Sequence, residues 1–389
     1  MSKAEFDWRT IAALNAVSTL AQVGQFGVAY VVLPVWLAEQ GLDATQLGMF
    51  ASSLWLGQLP GLGLAPWLCQ RLGARRVIVL SLLCTVLALV GIALAAWPFW
   101  LAGGTLAGFG LGLRWIGLEP WLYRIAPAEA RGRLVGFHET LIALAPIVAP
   151  VLASTFGLHG KALFWIGGVF CIGAFFALAL ARKDPAHAET ASSRGIHVHL
   201  AAQLRERVFQ FGVAIALVGG MMEAALSGLF ALFAHGHGIT GSQTTDLLAL
   251  FGLGGLLLQY PVGWLADHRG VGVAALWCAL GTVLVCIALA LPMGYLLVMI
   301  AVFLLGGLIT AFLTLALIAS TMTKSGTMAS NVSLISMLYT LSAVAGPLIA
   351  GAAMKATDTD ALMWSTAIAA LFLAFVLVWL MRAKQSSLA

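Results

Sequence analysis

Long apolar stretches alternate with short polar ones along almost the whole chain. Each apolar stretch has about 20 residues or more, enough for an α-helix rising about 1.5 Å per residue to cross a hydrocarbon core of about 30 Å. Strands of a membrane barrel would instead alternate apolar and polar residues, and stretches such as 77–94 show no such period. The pattern predicts twelve transmembrane helices, over residues 9–37, 45–69, 76–97, 98–123, 135–158, 162–181, 208–234, 243–266, 271–292, 294–321, 328–354 and 361–381.

Composition agrees with this pattern, because 61% of the residues are hydrophobic and only 9% are charged. A soluble globule needs more polar surface than such a chain can supply. The class predicted is an all-α membrane protein in contact with the lipid bilayer. The polar N-terminal segment is short and the first apolar run has no cleavage pattern after it, so no removable signal peptide is predicted.

Lysine and arginine are unevenly distributed between alternate loops. Apart from Lys161 and Lys355 in predicted outer loops and Arg114 within a span, the 20 basic residues lie in segments on one side. Because basic loops stay in the cytoplasm, both termini are predicted to be cytoplasmic in a bacterial inner (plasma) membrane. The formal charge of +5 is explained by this topology and by anionic lipid headgroups, and no nucleic-acid partner is expected.

A shift of 197 residues places three separated parts of the chain in register without a gap. Segment 41–46 falls on 238–243, segment 66–73 on 263–270, and Ala149-Pro150 on Gly346-Pro347. Two homologous six-helix bundles are therefore predicted, at 1–181 and 208–389, joined by a polar cytoplasmic linker at 182–207. Such a duplication in an apolar chain is typical of transporters that expose an interfacial site to either side by rocking.

The loop after the second span carries a recognisable signature. It reads Pro66-Trp67-Leu68-Cys69-Gln70-Arg71-Leu72-Gly73-Ala74-Arg75-Arg76, and the second half has Gly263-Trp264-Leu265-Ala266-Asp267-His268-Arg269-Gly270. With twelve spans in two halves and this loop, the chain resembles the major facilitator superfamily. The superfamily signature has a glycine at the position of Pro66 and an acid at the position of Gln70. Proline and Gln70 replace them in the first half. The resemblance implies a conformational latch, and the candidate gating residues are Arg71, Gly73, Arg75, Arg76, Asp267, Gly270, Glu119 and Glu139.

The first-half loop lacks its acid, so Arg71, Arg75 and Arg76 are predicted to pair with Glu119 or Glu139 instead. Glu119 and Glu139, with His138, lie near the cytoplasmic ends of spans four and five. A charge latch is the favoured role for this group, with a proton relay as the alternative.

Two charged residues lie near the middle of predicted spans, Arg114 in span four and Glu223 in span seven. A charge at such depth costs about 2.5–3.5 kcal/mol on insertion scales, and it persists where it is paired, hydrated or functional. The resemblance implies that both spans face a central cavity. Glu223 is the candidate proton-coupling acid, and Arg114 either tunes it or binds an anionic part of the substrate. The alternative is a structural ion pair between the halves.

Span one has one polar stripe, because Asn15, Ser18, Gln22 and Gln25 follow one another at helical spacing. In contrast, spans three, six, nine and twelve carry almost no polar residues and are predicted to face lipid. The predicted pathway for substrate and protons contains Glu223, Arg114, Gln25, Gln22, Tyr30, Gln58, Gln259, Trp115, Ser227, Asn331 and Tyr339.

Span five gives a hint of direction. Superfamily antiporters carry a glycine- and proline-containing element there, and residues 145–154 resemble it, with Pro150 kept and every glycine replaced by another small residue. The resemblance favours proton-coupled export of a small amphipathic or drug-like compound. Import of a small anionic metabolite with protons is the alternative.

Other classes of protein fit less well. A membrane-embedded enzyme would need a nucleophile, paired acids or a metal cluster at one membrane face, and neither a nucleotide-binding loop nor a metal-ligand set occurs in the sequence. A transporter-like sensor would usually carry an added soluble domain, and the longest loop has about 26 residues. The prediction is a transporter that acts as a monomer on a small molecule and protons, with no cofactor and no metal.

Overall fold

A computed structural model describes residues 7–127, 131–157, 161–182 and 202–382 of the chain. These residues are almost entirely helical, and no β-strand occurs among them. The helices, numbered in chain order, are α1 (Trp8–Glu39), α2 (Ala44–Leu72), α3 (Ala74–Leu94), α4 (Trp100–Ile125), α5 (Arg131–Ile142 and Ala145–Phe156), α6 (Ala162–Leu180), α7 (Arg207–Gly236), α8 (Gly241–Arg269), α9 (Val271–Leu289), α10 (Tyr295–Met322), α11 (Met328–Ala356) and α12 (Ala361–Arg382).

The predicted all-helical membrane fold is confirmed. In the described residues, ten of these helices are long and apolar enough to cross a membrane. Helices α2 and α4, with 29 and 26 residues, have sufficient length as well. Most observed bounds lie within a few residues of the predicted ones, because the ends follow the polar and glycine positions between apolar runs.

Helix α1 is not regular along its length. It is α-helical over Trp8–Gln22, π-helical over Val23–Val32 and α-helical again over Leu33–Glu39. A π-helix has wider turns, with i→i+5 hydrogen bonds, and frequently occurs at functional sites. Hydropathy could not predict this change, since the segment stays apolar and continuous.

Helix α5 differs from the single span predicted over 135–158. It is interrupted at Ala143 and Leu144. Pro146 follows directly, and a proline within a helix lacks the N–H that would bond four residues back while its ring crowds that carbonyl group. Helix α11, which corresponds to α5 in the second half, runs without a break through Pro347.

The chain forms two compact units. Unit 1 contains residues 1–36 and 53–190, and unit 2 contains residues 37–52 and 191–389. Of the predicted linker, residues 183–201 lie outside the described residues. Within unit 1 a buried apolar core joins α1, α3, α4 and α6, with Leu14, Leu118 and Trp121 at its centre.

Unit 2 includes the loop between α1 and α2 and the first two turns of α2. A Cβ atom on Gly48 of α2 would collide with the Pro347 carbonyl group of α11, so only glycine permits this approach. Nearby, the Lys355 ammonium group lies 3.0 Å from the Asp43 carboxylate. The start of α2 is thus bound to α11.

Helices α3, α6, α9 and α12 each expose a row of large apolar side chains. Trp165, Val169 and Phe176 on α6 are more than half exposed, as are Ile368 and Phe375 on α12. Such rows suit contact with lipid rather than water. The observation agrees with the expectation that every third helix faces the bilayer.

Candidate functional site

Arg114 lies near the middle of α4 and is almost completely buried, with 1% of its surface exposed. Its guanidinium group donates to Gln25 Oε1 at 2.6 Å and to Ser18 Oγ at 3.0 Å, and a third N–H donates to Gln22 Oε1. All three acceptors come from the polar stripe of α1. Charge-assisted hydrogen bonds contribute about 1.5–3 kcal/mol each, enough for three of them to offset the cost of placing the charge in a span.

Gln25 connects this cluster to a third helix. Its amide group donates to Ser81 Oγ at 3.0 Å and Thr85 Oγ1 at 2.9 Å, both on α3. Because the amide nitrogen is engaged there, the amide oxygen faces Arg114. The two hydroxyls are almost the only polar groups on a lipid-facing helix, and the structure gives them a purpose that the sequence did not reveal.

Tyr30 and Gln58 form a second polar pair in unit 1. The Tyr30 hydroxyl lies 3.2 Å from Gln58 Oε1 and 3.1 Å from the Leu54 carbonyl oxygen. The Tyr30 ring stacks on Phe26 at 5.2 Å and meets Trp55 edge-on at the same distance. Both polar side chains are buried, so the pair ties the π-helical segment of α1 to α2.

Glu223 lies near the middle of α7 in unit 2, and its surroundings are much simpler. Its carboxylate accepts a hydrogen bond from the Tyr339 hydroxyl of α11. Within the described part of the chain no basic side chain lies within salt-bridge distance of it. Ser227, one turn later, donates to the Ala224 carbonyl oxygen of its own helix. Glu223 thus has one strong partner, and that partner is neutral.

Two further predicted pathway residues, Trp115 and Gln259, are half-buried. Trp115 is half-buried next to Arg114, and its indole N–H donates to Glu119. Gln259 is half-buried in α8, beside exposed Tyr260.

Asn331 differs most from its prediction. It lies in the first turn of α11, where its amide group donates to the carbonyl oxygens of Thr323 and Ser325 and accepts from Gln203. This side chain closes the loop between α10 and α11. We therefore leave it out of the candidate site.

The predicted latch between the first signature loop and the acids of α4 and α5 is absent from this conformation. Arg71 lies over the Trp67 ring at 4.4 Å, and Arg75 donates to the Ala181 carbonyl oxygen at 3.3 Å. In the described ranges neither these arginines nor exposed Arg76 form an ion pair with Glu119 or Glu139. Instead, Glu139 accepts a hydrogen bond from Tyr123 at 2.9 Å.

The glycines of the two signature loops form tight turns between helices. Gly73 and Gly270 have φ angles of 84° and 87°, in the region that side chains with a Cβ rarely adopt. Each separates two helices by a single residue. Asp267, just before the second turn, is exposed.

One polar pair was not predicted as a contact. His138 Nδ1 of α5 lies 3.0 Å from Asn15 Oδ1 of α1, and both residues are buried. Asn15 belongs to the α1 stripe. The stripe therefore contacts His138 through Asn15, and Arg114 through Ser18, Gln22 and Gln25. Only the packing of α1, α4 and α5 could reveal these contacts.

Comparison with known proteins gives a consistent family. The family model described as Major Facilitator Superfamily matches residues 16–325 and 212–388. Among curated proteins, the chain is 27% identical over 242 residues to an uncharacterized MFS-type transporter, YcaD, of Shigella flexneri. It is 27% identical over 244 residues to the corresponding protein of Salmonella heidelberg. Each match covers 61% of this chain and 62% of the relative's own length.

Solved structures agree on the fold. The nucleoside transporter NupG superposes with a TM-score of 0.79 at 14% identity, covering 96% of this chain and 99% of that one. A D-xylose–proton symporter gives 0.74 at 14% identity, covering 95% and 97%. At such identity the likeness establishes the architecture alone.

Proposed function

Because the chain belongs to the major facilitator superfamily, we propose that it is a secondary active transporter, not an enzyme, and that it moves a small solute by alternating access. Within that scheme Glu223 is the proton-coupling acid, and the cargo is an amphipathic or drug-like compound that leaves the cell in exchange for protons. The observation that carries this assignment is the position of Glu223 near the middle of α7 with one neutral partner.

The chemistry of a proton carrier supports Glu223 over Arg114. A carboxylate that exchanges protons must be stable in both forms, and a single tyrosine hydroxyl can hydrogen-bond to either. A carboxylate fixed by an arginine would be held in its charged form. Arg114, in contrast, is engaged by three neutral side chains, which leaves it a weaker candidate for binding an anionic substrate. This favours export of an amphipathic compound over import of an anionic metabolite.

Transport into proteoliposomes with an imposed pH gradient tests the proposal. Ethidium, an aromatic cation, is a suitable first probe, and a thermal-shift binding screen of other amphipathic compounds extends it. We expect Glu223→Gln to abolish gradient-driven ethidium accumulation, because the amide cannot carry a proton. Tyr339→Phe should reduce accumulation but retain it, since the carboxyl group remains.

The matched control is Asp246→Asn, which removes an exposed acid of unit 2 near the start of α8. It should transport like the wild type. If Glu223→Gln still concentrates the probe against its gradient, the coupling assignment is wrong.

A further inference from the structure

His138 is a fully buried histidine whose hydrogen bonds reveal its tautomer. The Asn15 amide group donates to the Ile11 carbonyl oxygen at 2.9 Å, so its oxygen faces His138 Nδ1 at 3.0 Å. Since that oxygen can only accept, Nδ1 carries the proton. In the neutral ring the other nitrogen, Nε2, then presents a lone pair.

That lone pair has no hydrogen-bond partner among the described residues, although Nε2 is buried. A buried polar atom without a partner typically costs about 1–3 kcal/mol. This cost is removed if another group donates a hydrogen bond to Nε2 in a different protonation state of the protein. A protonated carboxyl group would supply such a donor.

Two carboxyl groups lie in the same region of unit 1. Glu119 on α4 interacts electrostatically with Glu139 on α5, the residue that follows His138. Tyr123 of α4 donates to Glu139 at 2.9 Å and packs its ring edge-on against His138, with ring centroids 6.0 Å apart. Arg114 is the charged neighbour from α4, and the α1 side contributes the neutral Asn15.

The second half indicates that the fold does not require this polar pair. Shifted by 197 residues, Asn15 and His138 correspond to Gly212 and Ile335. A Cβ atom on Gly212 would lie 3.3 Å from the Ile335 side chain, so the two positions also adjoin in unit 2, where neither residue is polar. The polar version in unit 1 is therefore a feature of its own.

We propose that Glu119, Glu139 and His138 form a second proton-binding site, in which a proton held by either carboxyl group is donated as a hydrogen bond to His138 Nε2. The proton stays on the carboxyl oxygen, and on deprotonation it leaves the site and Nε2 loses its donor. The site extends the proposed proton coupling from Glu223 in unit 2 to unit 1, where the stripe leads on to Arg114.

Nitrogen NMR on the full-length protein tests this without any substrate. Histidine is labelled with ¹⁵N, the protein is placed in lipid nanodiscs, and the His138 signals are assigned by their absence from His138→Gln. We expect Nε2 to be unprotonated at high pH and to move upfield as the pH is lowered and the hydrogen bond forms. The movement should vanish in the double variant Glu119→Gln/Glu139→Gln. An Nε2 signal that is protonated throughout, or invariant between about pH 5 and 9, overturns the proposal.

A transport measurement adds a functional readout. The variant Asn15→Gly/His138→Ile transfers the unit 2 pair into unit 1, so it should fold and bind ethidium in a thermal-shift assay. We expect its gradient-driven accumulation to fall at least about tenfold, because the hydrogen-bond acceptor for the carboxyl proton is lost. Wild-type accumulation in this variant would overturn the coupling role. A wild-type protein that ignores the pH gradient would instead overturn the proposed function, while the NMR titration would still decide whether the site binds a proton.

Discussion

The two units of the protein hold their central charges in opposite ways. Arg114 in unit 1 is almost completely buried and donates to three side chains of α1, one of which is itself bonded to α3. Glu223 in unit 2 is half-buried and has one partner, Tyr339. A charge held by many bonds is costly to move, whereas a charge held by one bond can change state. This difference supports the proposal that Arg114 has a structural role and that Glu223 is the acid that exchanges protons.

The largest expected effect separates the two charges by their contribution to stability. Arg114→Leu should lower the free energy of unfolding by about 3 kcal/mol, because it leaves buried acceptors on Ser18, Gln22 and Gln25 without a donor. Glu223→Gln should change it by less than about 1 kcal/mol, since an amide still accepts from Tyr339. Denaturant unfolding in detergent micelles measures both.

Arg114→Lys is the control, because it keeps the charge but loses the planar group that bonds to three acceptors. It should fall between wild type and Arg114→Leu. Equal losses for the leucine variant and for Glu223→Gln would remove the distinction between the units.

A smaller loss of stability is expected when a single hydrogen bond is removed in each unit. Gln25→Leu should cost about 1–2 kcal/mol, because it leaves an N–H of the guanidinium group unpaired in a buried place. Tyr339→Phe should cost about 0.6 kcal/mol, the average of hydrogen bonds between helices in a membrane. Thermal unfolding of the two variants side by side measures this, and a larger loss for Tyr339→Phe would contradict the comparison.

The smallest effect concerns two acids at the start of corresponding helices, Asp7 before α1 and Glu206 before α7. Hydrogen bonds from Thr10 lower the pKa of Asp7 below its ordinary 3.8, and bonds from Ser325 and Lys324 lower that of Glu206 below 4.5. A depressed pKa stabilises the folded state above the ordinary value, and this stability is lost as the pH falls through the folded one.

We therefore expect the melting temperature to fall slightly as the pH drops below about 4.5. The fall should be smaller in Glu206→Gln and in Asp7→Asn, whose amides do not titrate. A variant that keeps the wild-type acid dependence in a pH series of melting curves would show that its acid contributes nothing.

Much of the fold could be predicted from the sequence, because hydropathy and the positions of glycine and charge determine where helices start and stop. The stripe of Asn15, Ser18, Gln22 and Gln25 was also visible as helical spacing. That Arg114 is the partner of this stripe could not be predicted, because contacts between helices depend on the rotation and depth of each helix. Spacing along one helix does not give these.

Two expectations differ from the contacts seen in this conformation, for identifiable reasons. The latch predicted for Arg71, Arg75 and Arg76 assumed that opposite charges near the same membrane face would pair. Here Arg71 lies over Trp67, and Arg75 donates to a backbone carbonyl oxygen. Asn331 was assigned to the pathway because it lies inside an apolar span. A polar residue within one turn of a helix start can equally serve the loop, as it does in this protein.

The π-helical segment Val23–Val32 changes how residues of the first half correspond to those of the second. Each wide turn holds more residues than an α-helical turn, so the direction in which side chains point drifts relative to α7, which is α-helical throughout. Before residue 23, aligned residues of the two repeats point in the same direction around their helices, so Asn15 and Gly212 correspond in orientation as well as in sequence. Beyond residue 23, correspondence in the alignment no longer fixes the direction of a side chain. Phe26 and Glu223 correspond at the shift of 197 residues, but their side chains are not constrained to point the same way.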